Sequence, residues 1–163
     1  MQGTWEITPF KPLAALDLSL GTCFQVVWLS SCVADKISEC EAFAAISAEG
    51  SAVTWGRADA GGDSSAVAEL LEEGVVQVCG NSLAFAAIKA NGSVVTWGGA
   101  AFGGDSSAVA ELLEEGVVQV CGKYSALATI NFNGSAVTWG NAGDGGDSSA
   151  VAALLTGGIV QVC

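Results

Sequence analysis

Between Val75 and Gly98 the chain reads VVQVC, then LAFAAIK, then SVVTWG, three short apolar runs divided by Gly80-Asn81-Ser82 and Ala90-Asn91-Gly92. The first and third alternate β-branched with polar positions, so the three runs are read as β-strands. Asn-Gly between the second and third predicts a tight hairpin, because both residues tolerate positive φ. A glycine-rich linker follows Gly98 and leads to Asp105-Ser106-Ser107 and then AVAELLEEG. There Val109, Leu112 and Leu113 fall at i, i+3 and i+4, with Glu111, Glu114 and Glu115 on the other face. That spacing predicts a short amphipathic helix of roughly three turns, N-capped by Asp or Ser and ended by Gly116 in the left-handed conformation.

The pattern recurs. Trp55, Trp97 and Trp139 are spaced by 42 residues, as are Cys79, Cys121 and Cys163, and Asp63, Asp105 and Asp147. Gly61–Gly80 and Gly103–Gly122 are identical over 20 positions. A fixed period in this range marks a repeat architecture, in which one supersecondary unit is arrayed. The chain therefore divides into a non-repeat segment, residues 1–41, and three tandem repeats over residues 42–163, each of three strands and one short helix. The fold class expected is mainly β with short helices.

Each periodic residue has a structural and a chemical reading. A Trp on an alternating strand is a large apolar plate between units, its indole N–H bonded to a carbonyl; a row of Trp binding sugars or pigments is the rival. Asp63, Asp105 and Asp147 open GGDSS loops, the composition of a helix cap. Calcium needs several oxygen ligands, and one Asp per loop lacks that density. A phosphate cradle before a helix is excluded, since no Lys follows and an Asp occupies the anion's place. Cysteines at one repeat position read as small buried hydrophobes on a strand, free of disulfides. Cys23, Cys32 and Cys40 lie outside the period and their pairing is open. The cysteine usage points to a reducing compartment, cytoplasmic or organellar.

Charge narrows the function further. Five Lys and Arg against 17 Asp and Glu give a net charge of −12, which repels phosphate backbones and disfavours nucleic acid. With no His in the chain, imidazole catalysis and His-based metal sites are excluded. No catalytic constellation, cofactor site or metal site is read from the sequence. Leu18–Ala34 is uncharged but short for a membrane span, and Ser19, Thr22, Gln25, Ser30 and Ser31 interrupt it. It reads as a degenerate strand pair capping an edge of the repeats, with a membrane-associated or targeting segment as the alternative.

The string VVQVCGNSLAFAAIKANGSVVTWG resembles the repeat of the regulator of chromosome condensation family, roughly V-x-x-V-x-x-G-x-x-H-S-x-A-L-x-x-D-G-x-V-Y-x-W-G. Val75, Val78, Gly80, Ala84, Ile88, Gly92, Val94, Val95, Trp97 and Gly98 fall on matching positions. Asn141–Gly146 is similar to the family's segment after Trp-Gly. The repeats here are shorter and more acidic, the family's His position is Leu83 or Ser125, and a helix replaces an irregular connection. The resemblance implies a β-propeller and a protein-interaction platform, and it transfers no catalytic residue.

Three units are too few to close a propeller of four to eight blades, so a partial or open one is expected. A β-solenoid, with equivalent positions stacked about 4.8 Å apart, is the rival arrangement. The expected function is a non-enzymatic scaffold for protein partners, or part of a larger protein. An accessory subunit of a membrane or organellar complex and the regulatory region of a ubiquitin-ligase-like protein are the alternatives. Unpaired edges are expected at Ala42–Ile46 and Ile159–Cys163, and such edges invite a homodimer. The three Trp are expected to be buried in equivalent sites.

Overall fold

A computed structural model describes residues 24–27 and 41–162. It contains β1 (Phe24–Val27), β2 (Ala42–Ser47), β3 (Ala52–Gly56), β4 (Val75–Gly80), β5 (Ala84–Lys89), β6 (Val94–Gly98), β7 (Val117–Lys123), β8 (Ala126–Asn131) and β9 (Ala136–Gly140). Short helical segments fill the stretches after β3, β6 and β9. The strands form three antiparallel sheets, β1-β2-β3, β4-β5-β6 and β7-β8-β9. β4 and β7, equivalent in sequence, belong to different sheets, so the continuous ladder of a β-solenoid does not form among the described residues.

Register repeats with the sequence. Phe43 faces Trp55, Phe85 faces Trp97 and Leu127 faces Trp139 across the hairpins. The turn glycines Gly50, Gly92 and Gly134 have φ of 82°, 81° and 77°, as the hairpin chemistry predicts. An irregularity between Val75 and Gln77 recurs between Val117 and Gln119.

Two edges differ from expectation. β2 is a central strand, because β1 pairs with it from Phe24↔Ser47 to Val27↔Ala44. Gln25↔Ile46 matches Gln77↔Ile88 and Gln119↔Ile130, so FQVV occupies the first-strand place of the first unit. More residues separate it from β2 than separate the first two strands of the later units, which hid the correspondence. This strand is the described part of Leu18–Ala34; the rest lies outside the described residues, as do Cys23, Cys32, Cys40 and Cys163. Among the described residues no helix is long and apolar enough to cross a membrane.

Ile159–Val162 is not a strand. Its path nonetheless copies β4 and β7. Ile159 N–H donates to Gly134 O at 2.9 Å, as Val75 does to Gly50 and Val117 to Gly92. Gln119 Nε2 donates to Val162 O as Gln77 Nε2 does to Val120 O. Among the described residues it has no neighbouring second strand to pair with, and a lone strand gains no ladder.

The predicted three-turn helices are shorter and tighter. Ser65–Val67 is 3₁₀ and runs into one α-turn at Ala68–Leu71, while Ser107–Leu113 and Ser149–Leu154 are 3₁₀ throughout. The segments end at the C-cap residues Glu72, Glu114 and Leu155, and Gly74, Gly116 and Gly158, with left-handed φ of 70°, 75° and 78°, turn the chain two or three residues further on. So short a segment touches the core along one line. Leu113 is buried and Val109 packs beside it, whereas Leu112 lies on the flank with the glutamates and is exposed.

The core lies between sheets. One cluster joins Ala44, Ile46 and Leu71 of the first unit to Val78, Phe85 and Trp97 of the second. The other joins Ala86, Ile88 and Leu113 of the second to Val120, Leu127 and Trp139 of the third. Position by position the two clusters are one interface, shifted by 42 residues. β5 is buried on both faces because alternate residues serve different neighbours.

Candidate functional site

The joint between units is where the repeated residues meet. Trp97 Nε1 donates to Gly61 O at 3.1 Å, and Trp139 Nε1 to Gly103 O at 2.9 Å. Both indoles are buried, and Trp97 stacks on Phe85 with centroids 5.4 Å apart and planes at 13°. The acceptor glycine must be bare. Gly61 has φ 94°, and a Cβ there would lie 2.5 Å from Phe85 Cδ2; at Gly103 it would lie 2.7 Å from Leu127 Cδ1. Each unit thus presents a Trp that seats on the glycine loop of the unit before it.

Trp55 departs from the expectation of three equivalent buried sites. It stacks on Phe43 at 5.6 Å but is 46 % exposed. No preceding described loop covers it.

A second set of contacts ties the strand ends. Asn81 is fully buried and uses both ends of its amide. Nδ2 donates to Phe102 O at 2.6 Å and to Ala126 O at 3.4 Å, and Oδ1 accepts from Leu83 N and Ala84 N. Ser82 donates to Tyr124 O through its N–H at 3.2 Å and its hydroxyl at 2.7 Å. Tyr124 has φ 50°, rare outside glycine, and these cross-unit bonds help to hold it there. Main chain meets main chain at Gly122, whose added Cβ would stand 2.5 Å from Gly80 O. Lys89 caps the previous helical segment, its Nζ donating to Leu70 O and Glu73 O. In the sequence Gly80-Asn81-Ser82 is only a divider between two apolar runs. Its signal was a break in the repeat, since Lys123 stands where Asn81 does.

The acidic loops are closed on themselves. Asp63, Asp105 and Asp147 accept through Oδ1 from the N–H of Ser65, Ser107 and Ser149, each at 2.9 Å. They are not the helix caps expected from the sequence: the N-cap residues are Ser64, Ser106 and Ser148, and each Asp sits one residue ahead, in an Asx turn. Ser64 and Ser106, at the cap position itself, bond instead to Thr54 and Thr96 hydroxyls at 2.9 Å. The Ser N–H, and secondarily the Ser hydroxyl, hold all three carboxyls below the usual carboxylate range. A folded pKa below the unfolded one gives stability that is present above about pH 4 and lost as pH falls through the folded value. Asp105→Asn keeps the Asx-turn acceptor and loses only the charge, so it is expected to lower the unfolding midpoint at pH 7 only slightly. Replacing all three Asp by Asn is expected to flatten the acid limb of an unfolding titration followed by circular dichroism. Micromolar Ca²⁺ binding that disappears in Asp105→Asn would overturn this assignment.

Cys79 is a half-buried free thiol beside the joint, and burial, with Cys121 nearby, pushes its pKa up to about 11. Cys121 Sγ lies 4.0 Å from Gly122 O. Among the described residues no group of three or more His, Cys, Asp or Glu is placed to hold a metal ion. An open cleft of about 440 Å³ lies between the second and third units, lined by Asp105, Ser107, Val109, Thr138 and Trp139. Its carboxylate and its indole N–H already have the partners named above.

The flank of the units carries a different repeated surface. Leu70 and Leu112 are each 53 % exposed, and Val76 and Val118 are 57 % and 59 % exposed. Exposed glutamates, Glu69, Glu72 and Glu73 in one unit and Glu111, Glu114 and Glu115 in the next, lie beside them in sequence.

No protein-family profile matches the chain, and no curated protein does. Among solved structures, the crystal structure of human WBSCR16 matches at 16 % identity with a TM-score of 0.47, over 63 % of this chain and 32 % of that one. This chain spans about a third of that protein's chain.

Proposed function

We propose that this chain is a non-enzymatic scaffold for protein partners, built of propeller-type repeats in an open array. The observation that carries the reading is the flank: the same Leu and Val stand exposed at the same repeat positions in successive units, with exposed glutamates beside them in sequence. Single exposed apolar residues are ordinary on a protein surface. Recurrence at one period turns them into a row, and repeat folds present such rows as extended binding surfaces. The chemistry suits an extended or helical partner segment that alternates Leu-type side chains with Lys or Arg. A non-enzymatic role is supported by the periodic hydroxyls and carboxylates, which close the loops around Thr54–Ser64, Thr96–Ser106 and the three Asp.

Calorimetry with synthetic peptides tests this. A peptide alternating Leu and Lys is expected to bind, to weaken as salt rises, and to fail against Leu70→Ser/Leu112→Ser. Equal binding of an acidic peptide of the same apolar content, or no binding at all, would overturn the reading.

A further inference from the structure

Both halves of the inter-unit joint stand open at opposite ends of the described chain. At one end, Trp55 and Val53 are 46 % and 48 % exposed, while their counterparts Trp97 and Val95 are buried in the first joint. At the other end, Gly145 is exposed, has φ 100°, and has nothing within 4 Å of where a Cβ would project. Its counterparts Gly61 and Gly103 are buried against Phe85 and Leu127. Val151 is 46 % exposed, while Val67 and Val109 pack against the two clusters. The open halves carry the sequences of the filled ones. AVTWG at 52–56 recurs at 136–140, and GGDSSAV at 145–151 is that of 61–67 and 103–109.

We propose that a second copy of this chain docks head to tail, seating its Gly145–Val151 loop on the Val53–Trp55 face and accepting the Trp55 indole N–H at Gly145 O. The occupant is set by the molecule itself, because this loop is the partner that this type of face receives twice within the chain. Charge allows it. Each copy carries −12, but Glu111, Glu114 and Glu115 of the middle segment are replaced by Ala153, Thr156 and Gly157 in the last one, so the stretch that follows the docking loop carries no carboxylate, and Asp147 within the loop is bonded to Ser149 N–H. The contact is heterologous, so copies add by one rotation and give a ring where that rotation closes or a filament where it does not. The ends used here are separate from the flank proposed above as the partner surface.

The experiment is light scattering on the full 163-residue chain across a dilution series, with two variants. Wild type is expected to assemble as concentration rises. Trp55→Glu, which spoils the head, and Val151→Asp, which spoils the tail, are each expected to stay monomeric. Mixed in equal amounts they are expected to form a one-to-one complex, because each supplies the half that the other lacks. Should Trp55→Glu lose its fold by circular dichroism, Val53→Glu blocks the same face. A wild type that stays monomeric throughout, as it would with residues 1–40 covering Trp55 within one chain, overturns the proposal. So do single variants that assemble like wild type, or a mixture that stays monomeric. Leu112→Ser is expected to leave assembly intact, which separates this result from failure of the flank surface.

Discussion

Replacing Trp97 by Ala is expected to cost about 3–5 kcal/mol in denaturant unfolding, the range for deleting a large buried aromatic. Three losses coincide. The indole is 4 % exposed, so its whole apolar area returns to water and a cavity opens between the first and second units. Its stack on Phe85, with planes 13° apart, is lost, and such pairs contribute about 0.5–1.5 kcal/mol beyond area. Gly61 O loses its 3.1 Å donor inside the joint. Trp55→Ala is the internal comparison: a near-identical strand, a comparable stack, but 46 % exposure and no indole partner among the described residues. Its cost is expected to be about half or less. Equal losses for the two would mean that the Trp acts within its own hairpin, and the joint would lose its central contact.

That comparison marks what periodicity conveys. The 42-residue spacing places Trp97 and Trp139 in one environment because a unit precedes each of them, and the hydrogen bond reaches back 36 residues to that unit's loop. Trp55 has the same letters and a different neighbour. Sequence identity between repeats thus specifies the local hairpin, while burial is specified by the array. The same reasoning explains Ile159–Val162, which reads as a strand and follows the strand's path but lacks a ladder. The Asn-Gly and Glu-Gly turns, the cross-hairpin register and the left-handed glycines after the helical segments were legible because each depends on a few adjacent residues.

Three features were not legible, each because it depends on distant backbone. β1 carries the first unit's Gln25 at a greater sequence distance from β2, so the period breaks while the register holds. Asn81 looks like a turn former, and only the array shows its amide bridging Phe102 O and Ala126 O. Leu112 shares the i, i+3, i+4 signature with Val109 and Leu113, yet a segment of seven 3₁₀ residues buries too narrow a stripe to include it. Thr129, where the preceding unit has Ala87, is buried with its hydroxyl unpaired, a departure from the repeat for which the fold offers no compensation.

Gly122→Ala is expected to destabilise the chain by about 3 kcal/mol, the upper end of the usual range for overpacking. Backbone conformation is not the cause, since Gly122 is not among the glycines of positive φ. The obstacle is a neighbouring unit: the new methyl would stand 2.5 Å from Gly80 O, 2.7 Å from Gly80 C and 3.0 Å from Asn81 N. These are main-chain atoms and cannot turn aside as a side-chain tip can. The second and third sheets must separate by several tenths of an ångström. That shift also stretches the bonds from Ser82 to Tyr124 O and from Asn81 to Ala126 O. Gly157→Ala provides the control, for its nearest atom is Asn133 O at an ordinary 3.6 Å and its φ is not positive. It is expected to be neutral or to stabilise by a few tenths of a kcal/mol through the unfolded chain. Because the core is built between units, the Gly122 variant should lower the unfolding midpoint of the third unit more than that of the first, in the manner of nearest-neighbour coupling in repeat arrays. Hydrogen exchange resolves the two: faster exchange at Val120 and Ala128 with Ala44 and Ile46 little changed supports a joint between separately packed sheets. Uniform loss of protection along the chain would instead make the three units a single cooperative block.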